Sequence, residues 1–171
     1  LFIVLERYGG KGAGAGVDLT TPKEYASRAE VAVALHTYRI QTEAGADSRV
    51  LVAYFSATGT TEGIARQIAD ATGGDLAAIV PATPYTAADL NYTDSSCRAN
   101  REQNDPAARP AISGGTEDLE QYDVVFLGYP IWHGQPPRIV STFLEDGDFD
   151  GKTIVPFCTS GGSGFSSSGL P

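Results

Sequence analysis

Five short apolar, β-branched runs set the frame of this chain: Leu1–Leu5, Val50–Phe55, Leu76–Val80, Val124–Gly128 and Thr153–Phe157. Short apolar runs without polar alternation are the pattern of strands buried on both faces of a parallel sheet. Parallel neighbours need crossovers, and helix signals stand between the runs. Thr21-Pro22-Lys23-Glu24 is a capping box with Pro at the first helical position, predicting a helix to about Ile40. Residues Thr61–Ala71 place Ile64, Ala65, Ile68 and Ala69 on one face, and Gly73-Gly74 ends that helix. Pro137 opens a third, with an apolar stripe of Ile139, Val140, Phe143 and Leu144. Strand–helix alternation of this kind predicts a doubly wound α/β sheet with helices on both faces. Residues 81–120 hold Pro81, Pro84, Pro106 and Pro110 in a polar stretch too long for an idle loop. That stretch is expected to be partly helical and functional.

Composition narrows the function classes. A length of 171 residues fits one domain with its own core. The net charge is −9, and all of it falls after residue 50, where six basic side chains face fifteen acidic ones. Such a balance argues against a nucleic-acid binder and against a basic membrane-surface protein. No apolar run reaches the ~20 residues of a spanning helix, and Leu1–Leu5 is too short for a signal-peptide core. The expectation is a cytoplasmic protein with no membrane or nucleic-acid partner. His36 and His133 stand in no carboxylate or cysteine cluster with metal-ligand spacing, so no metal site is expected. Cys97 and Cys158 are expected to be two free thiols, Cys97 the more exposed and reactive.

Three loops carry the chemistry. The run Arg49-Val50-Leu51-Val52-Ala53-Tyr54-Phe55 leads directly into Ser56-Ala57-Thr58-Gly59-Thr60-Thr61 and then a helix. Four hydroxyls and several backbone N–H groups at a helix N-terminus form a ready anion site. The loop has no Lys or Arg, so neutral donors would hold the anion, unlike the Gly-Lys-Ser/Thr of nucleotide P-loops. The plainer reading is a Ser/Thr-rich helix cap. The second loop, Tyr129-Pro130-Ile131-Trp132-His133-Gly134-Gln135-Pro136-Pro137, puts a Trp and a His at a strand's carboxyl end. Such rings either stack on a planar ligand or plug the end of the sheet. The third, Thr159-Ser160-Gly161-Gly162-Ser163-Gly164, follows another strand, and its glycines allow close backbone approach. Loops at the carboxyl ends of neighbouring strands surround the crevice where open α/β sheets bind ligands.

Over about Val50–Gly164 these loops resemble the flavodoxin family, and within it the group with a G-Y-P-I-W-x-G loop. The Ser56-x-Thr58-Gly59-x-Thr61 element is the most specific mark of the resemblance. It implies a five-stranded parallel sheet in order 2-1-3-4-5 binding one FMN non-covalently. By the same resemblance, Ser56, Ala57, Thr58, Gly59, Thr60 and Thr61 would hold the phosphate. Pro130, Ile131, Trp132, His133 and Gly134 would border the isoalloxazine, and Thr159, Ser160, Gly161, Gly162, Ser163 and Gly164 would close its other side. Residues Asn91–Arg98 look like the relatives' Ser-Arg loop, with Cys97 where Ser is more usual.

Two functions follow from the resemblance. One is an electron carrier between a reductase and a terminal redox enzyme, with the acidic surface steering it toward basic-faced partners. The other is an FMN-dependent reductase of quinone-like small molecules. A flavin-free binding domain on the same fold is the outsider. Competing motifs fail: Gly9–Gly16 lacks the G-x-G-x-x-G spacing and reads as a linker, and G-x-S-x-G is absent around Ser163.

The pattern departs from the family at both ends. The relatives begin near Val50 and continue past Gly164 through a helix, a fifth strand and a last helix. Here Leu1–Leu5 and Thr21–Ile40 precede the first family strand instead. The chain is therefore divided into a strand–helix segment and linker at 1–48 and a flavodoxin-like domain at 49–171. Leu1–Leu5 is expected to be the edge strand beside Thr153–Phe157, through a permuted order or through segment exchange between two chains. An unrelated N-terminal appendage is the competing reading.

Overall fold

The computed structural model describes residues 48–114 and 118–161. The elements expected at Leu1–Leu5 and Thr21–Ile40, and the loop residues Gly162, Ser163 and Gly164, lie outside the described residues. Four strands form one parallel sheet: β1 (Val50–Tyr54), β2 (Asp75–Ala78), β3 (Val124–Pro130) and β4 (Thr153–Thr159), in spatial order β2-β1-β3-β4. Helices α1 (Thr60–Thr72), α2 (Arg98–Asn104) and α3 (Arg138–Asp146), with a 3-10 turn at Leu119–Gln121, complete the described structure. The order matches the first four positions expected of the sheet. Val52 pairs with Leu76 on one side and Phe126 on the other, and Val125 pairs with Ile154.

Alternation along the strands divides the core into two layers. Leu51, Ala53 and Phe55 join Val125, Leu127 and Tyr129 beneath Ile139, Val140 and Phe143 of α3. Val52, Tyr54, Val124, Phe126, Val155 and Phe157 face Ile64, Ala65, Ile68 and Ala69 of α1. The continuous apolar runs of β1 and β3 are explained by this burial on both faces. β2 is the edge of the described sheet. Asp75 and Ala78 are exposed, and the strand ends short of the expected Val80. Ile79 N–H still bonds Tyr54 O at 2.7 Å, after which Pro81 bridges antiparallel to Ile112. That bridge redirects the chain into the long excursion before β3.

Local chemistry sets the helix ends. Gly73, left-handed at φ 67°, ends α1 by donating its N–H to Ala69 O. Pro137 opens α3 from the N-cap position, directly before its first helical residue Arg138. Gly128 lies against the Phe157 ring, where any Cβ would overlap aromatic carbons. Residues 81–120 are partly helical as expected, holding α2 and the start of the 3-10 turn.

Candidate functional site

From β1 the chain moves to β2 on one side, and from there to β3 on the other side of β1. The carboxyl ends of β1 and β3 thus flank the topological switch point of the sheet. A cavity of about 910 Å³ opens there, a volume within the ~300–1,000 Å³ of small-molecule sites. The three expected loops meet at it: Ser56, Ala57, Thr58, Thr60 and Thr61; Pro130, Ile131, Trp132 and His133; and Thr159, Ser160 and Gly161. Gly59 and Gly134 are absent from its lining. Both are left-handed hinges, at φ 85° and 77°, that shape the turns holding the lining residues.

The first loop does not use its hydroxyls as a helix cap. The N-cap of α1 is Gly59, and no side chain caps the helix. The backbone N–H groups of Ala57, Thr58 and Gly59 have no hydrogen-bond partner among the described residues. Ser56 Oγ is buried and likewise without a partner among them. Buried polar groups are normally satisfied, so a hydroxyl left open at a cavity marks a place for a ligand or solvent atom. Thr61 is the exception, its hydroxyl sharing a buried 2.8 Å hydrogen bond with Thr159 Oγ1.

The second loop contains a tight turn. Trp132 and Gln135 exchange backbone hydrogen bonds at 2.9 and 3.0 Å across His133 and Gly134, both at positive φ. That is the geometry of a type I′ turn, which non-glycine residues enter at some cost. Trp132 packs edge-on against Phe55 and Tyr85, with ring centroids 5.6 and 5.4 Å away. Trp132 thus closes the end of the core layer and also lines the cavity.

Helix α2 ties this loop down from outside. Gln103 Nε2 donates to Trp132 O at 3.0 Å and to Pro136 O at 3.2 Å, while its Oε1 accepts from Arg138 N–H. Asn100 Nδ2 donates to Tyr92 O and Asp94 O, and its Oδ1 meets His133 Nε2 at 2.5 Å. Behind Trp132, Arg98 lies 4.0 Å above the Tyr85 ring and bonds Glu102, whose other oxygen accepts from Tyr85 OH. Burial, and then the bond to Glu102, push the Tyr85 phenol well above its ordinary pKa.

No Lys, Arg, Asp or Glu lines the cavity among the described residues. Neutral donors are what the first loop offers. Among the described residues no group of three or more His, Cys, Asp or Glu could hold a metal ion. The thiols need one correction. Cys97 is buried, 6% exposed, because it caps α2: its Sγ accepts from Asn100 N–H at 3.5 Å. Cys158 is buried in β4. The expected exposed, reactive Cys97 is thus a buried capping residue.

Sequence reasoning missed Leu90, Ala99 and Asn100, which line the cavity, and Gln103, which supports it. Tyr92, within the loop 91–98 that resembles the relatives' Ser-Arg loop, stands on the cavity wall. One signal was available. The α2 sequence Arg98-Ala99-Asn100-Arg101-Glu102-Gln103-Asn104 has no apolar stripe, and Asn100 and Gln103 are three apart on one face. A helix that buries amides must use them as hydrogen-bonding groups.

The sequence model of the flavodoxin family matches residues 49–169. Among solved structures, a proposed flavoprotein from Bacteroides eggerthii is 53% identical, with a TM-score of 0.70 over 71% of this chain and 77% of that one. A second, from Bacteroides uniformis, is 47% identical, with a TM-score of 0.69 over 71% and 78%. A flavoprotein in complex with FMN from Lactobacillus acidophilus is 23% identical, with a TM-score of 0.56 over 71% and 80%, a likeness of fold. No curated protein matches the sequence. No described helix is long and apolar enough to cross a membrane. With its parallel sheet, its switch-point cavity and a family match over most of its length, the chain belongs to the flavodoxin family.

Proposed function

We propose that this cavity binds one FMN non-covalently and that the protein carries electrons between a reductase and a terminal redox enzyme. The observation that carries this reading is the first loop, where a buried Ser56 hydroxyl and three backbone N–H groups have no described partner beside a cavity of mononucleotide size. The FMN complex of the Lactobacillus acidophilus relative supports the choice of ligand. Bound FMN would supply reversible uptake of electrons singly or in pairs. Ser56, Ala57, Thr58, Gly59, Thr60 and Thr61 would hold its phosphate through N–H and O–H donors at the N-terminus of α1. Pro130, Ile131, Trp132, His133 and Gly134 would border the ring. Thr159, Ser160 and Gly161, continuing into Gly162, Ser163 and Gly164, would close the opposite side. Trp132 and Ile131 present an apolar wall that excludes water and opposes added negative charge on a neighbouring ring. The net charge of −9 favours basic-faced partner proteins through steering that weakens with salt.

Trp132 is the single tryptophan of the chain, so its emission tests the site directly. FMN titration is expected to quench it to saturation at one FMN per chain. A tryptophan signal indifferent to excess FMN refutes the placement. Stopped-flow mixing of the FMN complex with NADH or NADPH tests the role. Near-inertness without added reductase is expected, whereas fast direct reduction would make the protein an FMN-dependent reductase of small molecules such as quinones.

A further inference from the structure

His133 is the only imidazole lining the cavity among the described residues, and one hydrogen bond sets its tautomer. Asn100 is 4% exposed, and its Nδ2 donates to two backbone carbonyls, Tyr92 O at 3.0 Å and Asp94 O at 2.7 Å. Carbonyl oxygens only accept, so the amide cannot be turned over without setting its own oxygen against both. Its Oδ1 is therefore the atom at His133 Nε2, and Oδ1 also only accepts. The hydrogen must reside on Nε2. The ring is brought there by a backbone at φ 50°, within the turn closed by Trp132 and Gln135. Left-handed strain at a non-glycine residue persists where surrounding contacts impose it.

We propose that Asn100 is a positioning residue that locks neutral His133 as the Nε2–H tautomer, so that Nδ1 is the ring's hydrogen-bond acceptor at the cavity. The ligand part rests on the FMN reading above; the tautomer part does not. The charged and titratable groups on the surrounding elements are engaged elsewhere. Asp94 accepts from Ser96, Asp89 accepts from Thr86, and Arg101 donates to Ser96 O. Arg98 and Glu102 pair with each other beside Tyr85. Arg138 donates to Gln103 O and Gln135 Oε1, and Tyr92 stands exposed at the rim.

Two measurements decide it. Nitrogen-15 NMR of the ligand-free chain reads the imidazole tautomers directly. The chain has two histidines, His36 and His133, so the spectrum of His133→Asn assigns them; Asn tolerates the left-handed turn. The expected result is Nε2–H for neutral His133 in the wild type and a mixture in Asn100→Ala. Nδ1–H in the wild type, or an unchanged preference in Asn100→Ala, overturns the positioning role. If Asn100→Ala does not fold, the wild-type spectrum decides. The second measurement is FMN affinity of wild type and His133→Asn at one pH, expected to fall roughly twofold to tenfold in the variant, the range of one hydrogen bond. An affinity equal to wild type overturns the ligand part. A wild type that binds no FMN overturns the proposed function, while the spectrum still judges the tautomer.

Discussion

Thr61 Oγ1 and Thr159 Oγ1 lie 2.8 Å apart, both buried, and join the first turn of α1 to the last residue of β4. This bond spans two of the three cavity loops across 98 residues of sequence. It fixes the spacing between the side that offers anion donors and the side that closes the crevice. A hydroxyl pair suits the position because each residue can donate or accept, and neither adds charge to the cavity.

Thr61→Val keeps the shape but leaves the Thr159 hydroxyl buried without its partner. The loss is expected to be about 1–3 kcal/mol. Urea unfolding should show a lower midpoint at an unchanged slope. Adding Thr159→Val should recover part of it, since removing both partners is cheaper than orphaning one. A midpoint equal to wild type in Thr61→Val would show the bond to be energetically idle.

Thr58→Val tests the other role of the same loop. Thr58 is exposed at the cavity and caps nothing, so its replacement should leave stability and circular dichroism unchanged. A lost hydrogen bond to a charged group costs about 1.5–3 kcal/mol, which corresponds to FMN binding weakened roughly tenfold to a hundredfold. Wild-type affinity in this variant would remove Thr58 from the phosphate site.

Gly128→Ala should be severely destabilising, because the new methyl would overlap the Phe157 ring in the middle of paired β-strands. Overpacking of this kind costs about 1–3 kcal/mol, and a backbone-bound clash leaves few ways to relax it. Thermal unfolding measures the loss. Gly128→Ala combined with Phe157→Leu should regain some of the stability, and failure to do so would place the strain elsewhere.

Alkaline pH should weaken the fold through Tyr85. Burial and the bond to Glu102 raise its pKa in the folded chain, whereas an unfolded tyrosine loses its proton near about 10. Above that pH the unfolded state ionises and gains free energy while folded Tyr85 stays neutral, so this contribution is complete below about 10 and is lost as pH rises toward the folded pKa. Tyr54 and Tyr122 are raised in the same direction, mainly by burial. Stability profiles from about pH 8 to 11 should fall less steeply in Tyr85→Phe than in wild type. Identical slopes would dissociate Tyr85 from the effect.

What the sequence by itself determined is local. Apolar runs at 50–55, 124–128 and 153–157, the face of Ile64, Ala65 and Ile68, and Gly73 after α1 carry their own periodicity and turn chemistry, so the strands, helices and anion-suited loop were legible without a fold. The tertiary structure alone decided which polar residues are buried and against what. Cys97 reads as a loop thiol until α2 forms above it, and Asn100 reads as a surface amide until Tyr92, Asp94 and His133 surround it. Gln103 reaches its partners on the second loop across 29 and 33 residues. Hydrogen bonds of that separation leave no periodic trace, because they depend on where the excursion between β2 and β3 folds back on the sheet. The same folding-back gives Trp132 its neighbours Phe55 and Tyr85, and with them its two roles at the crevice.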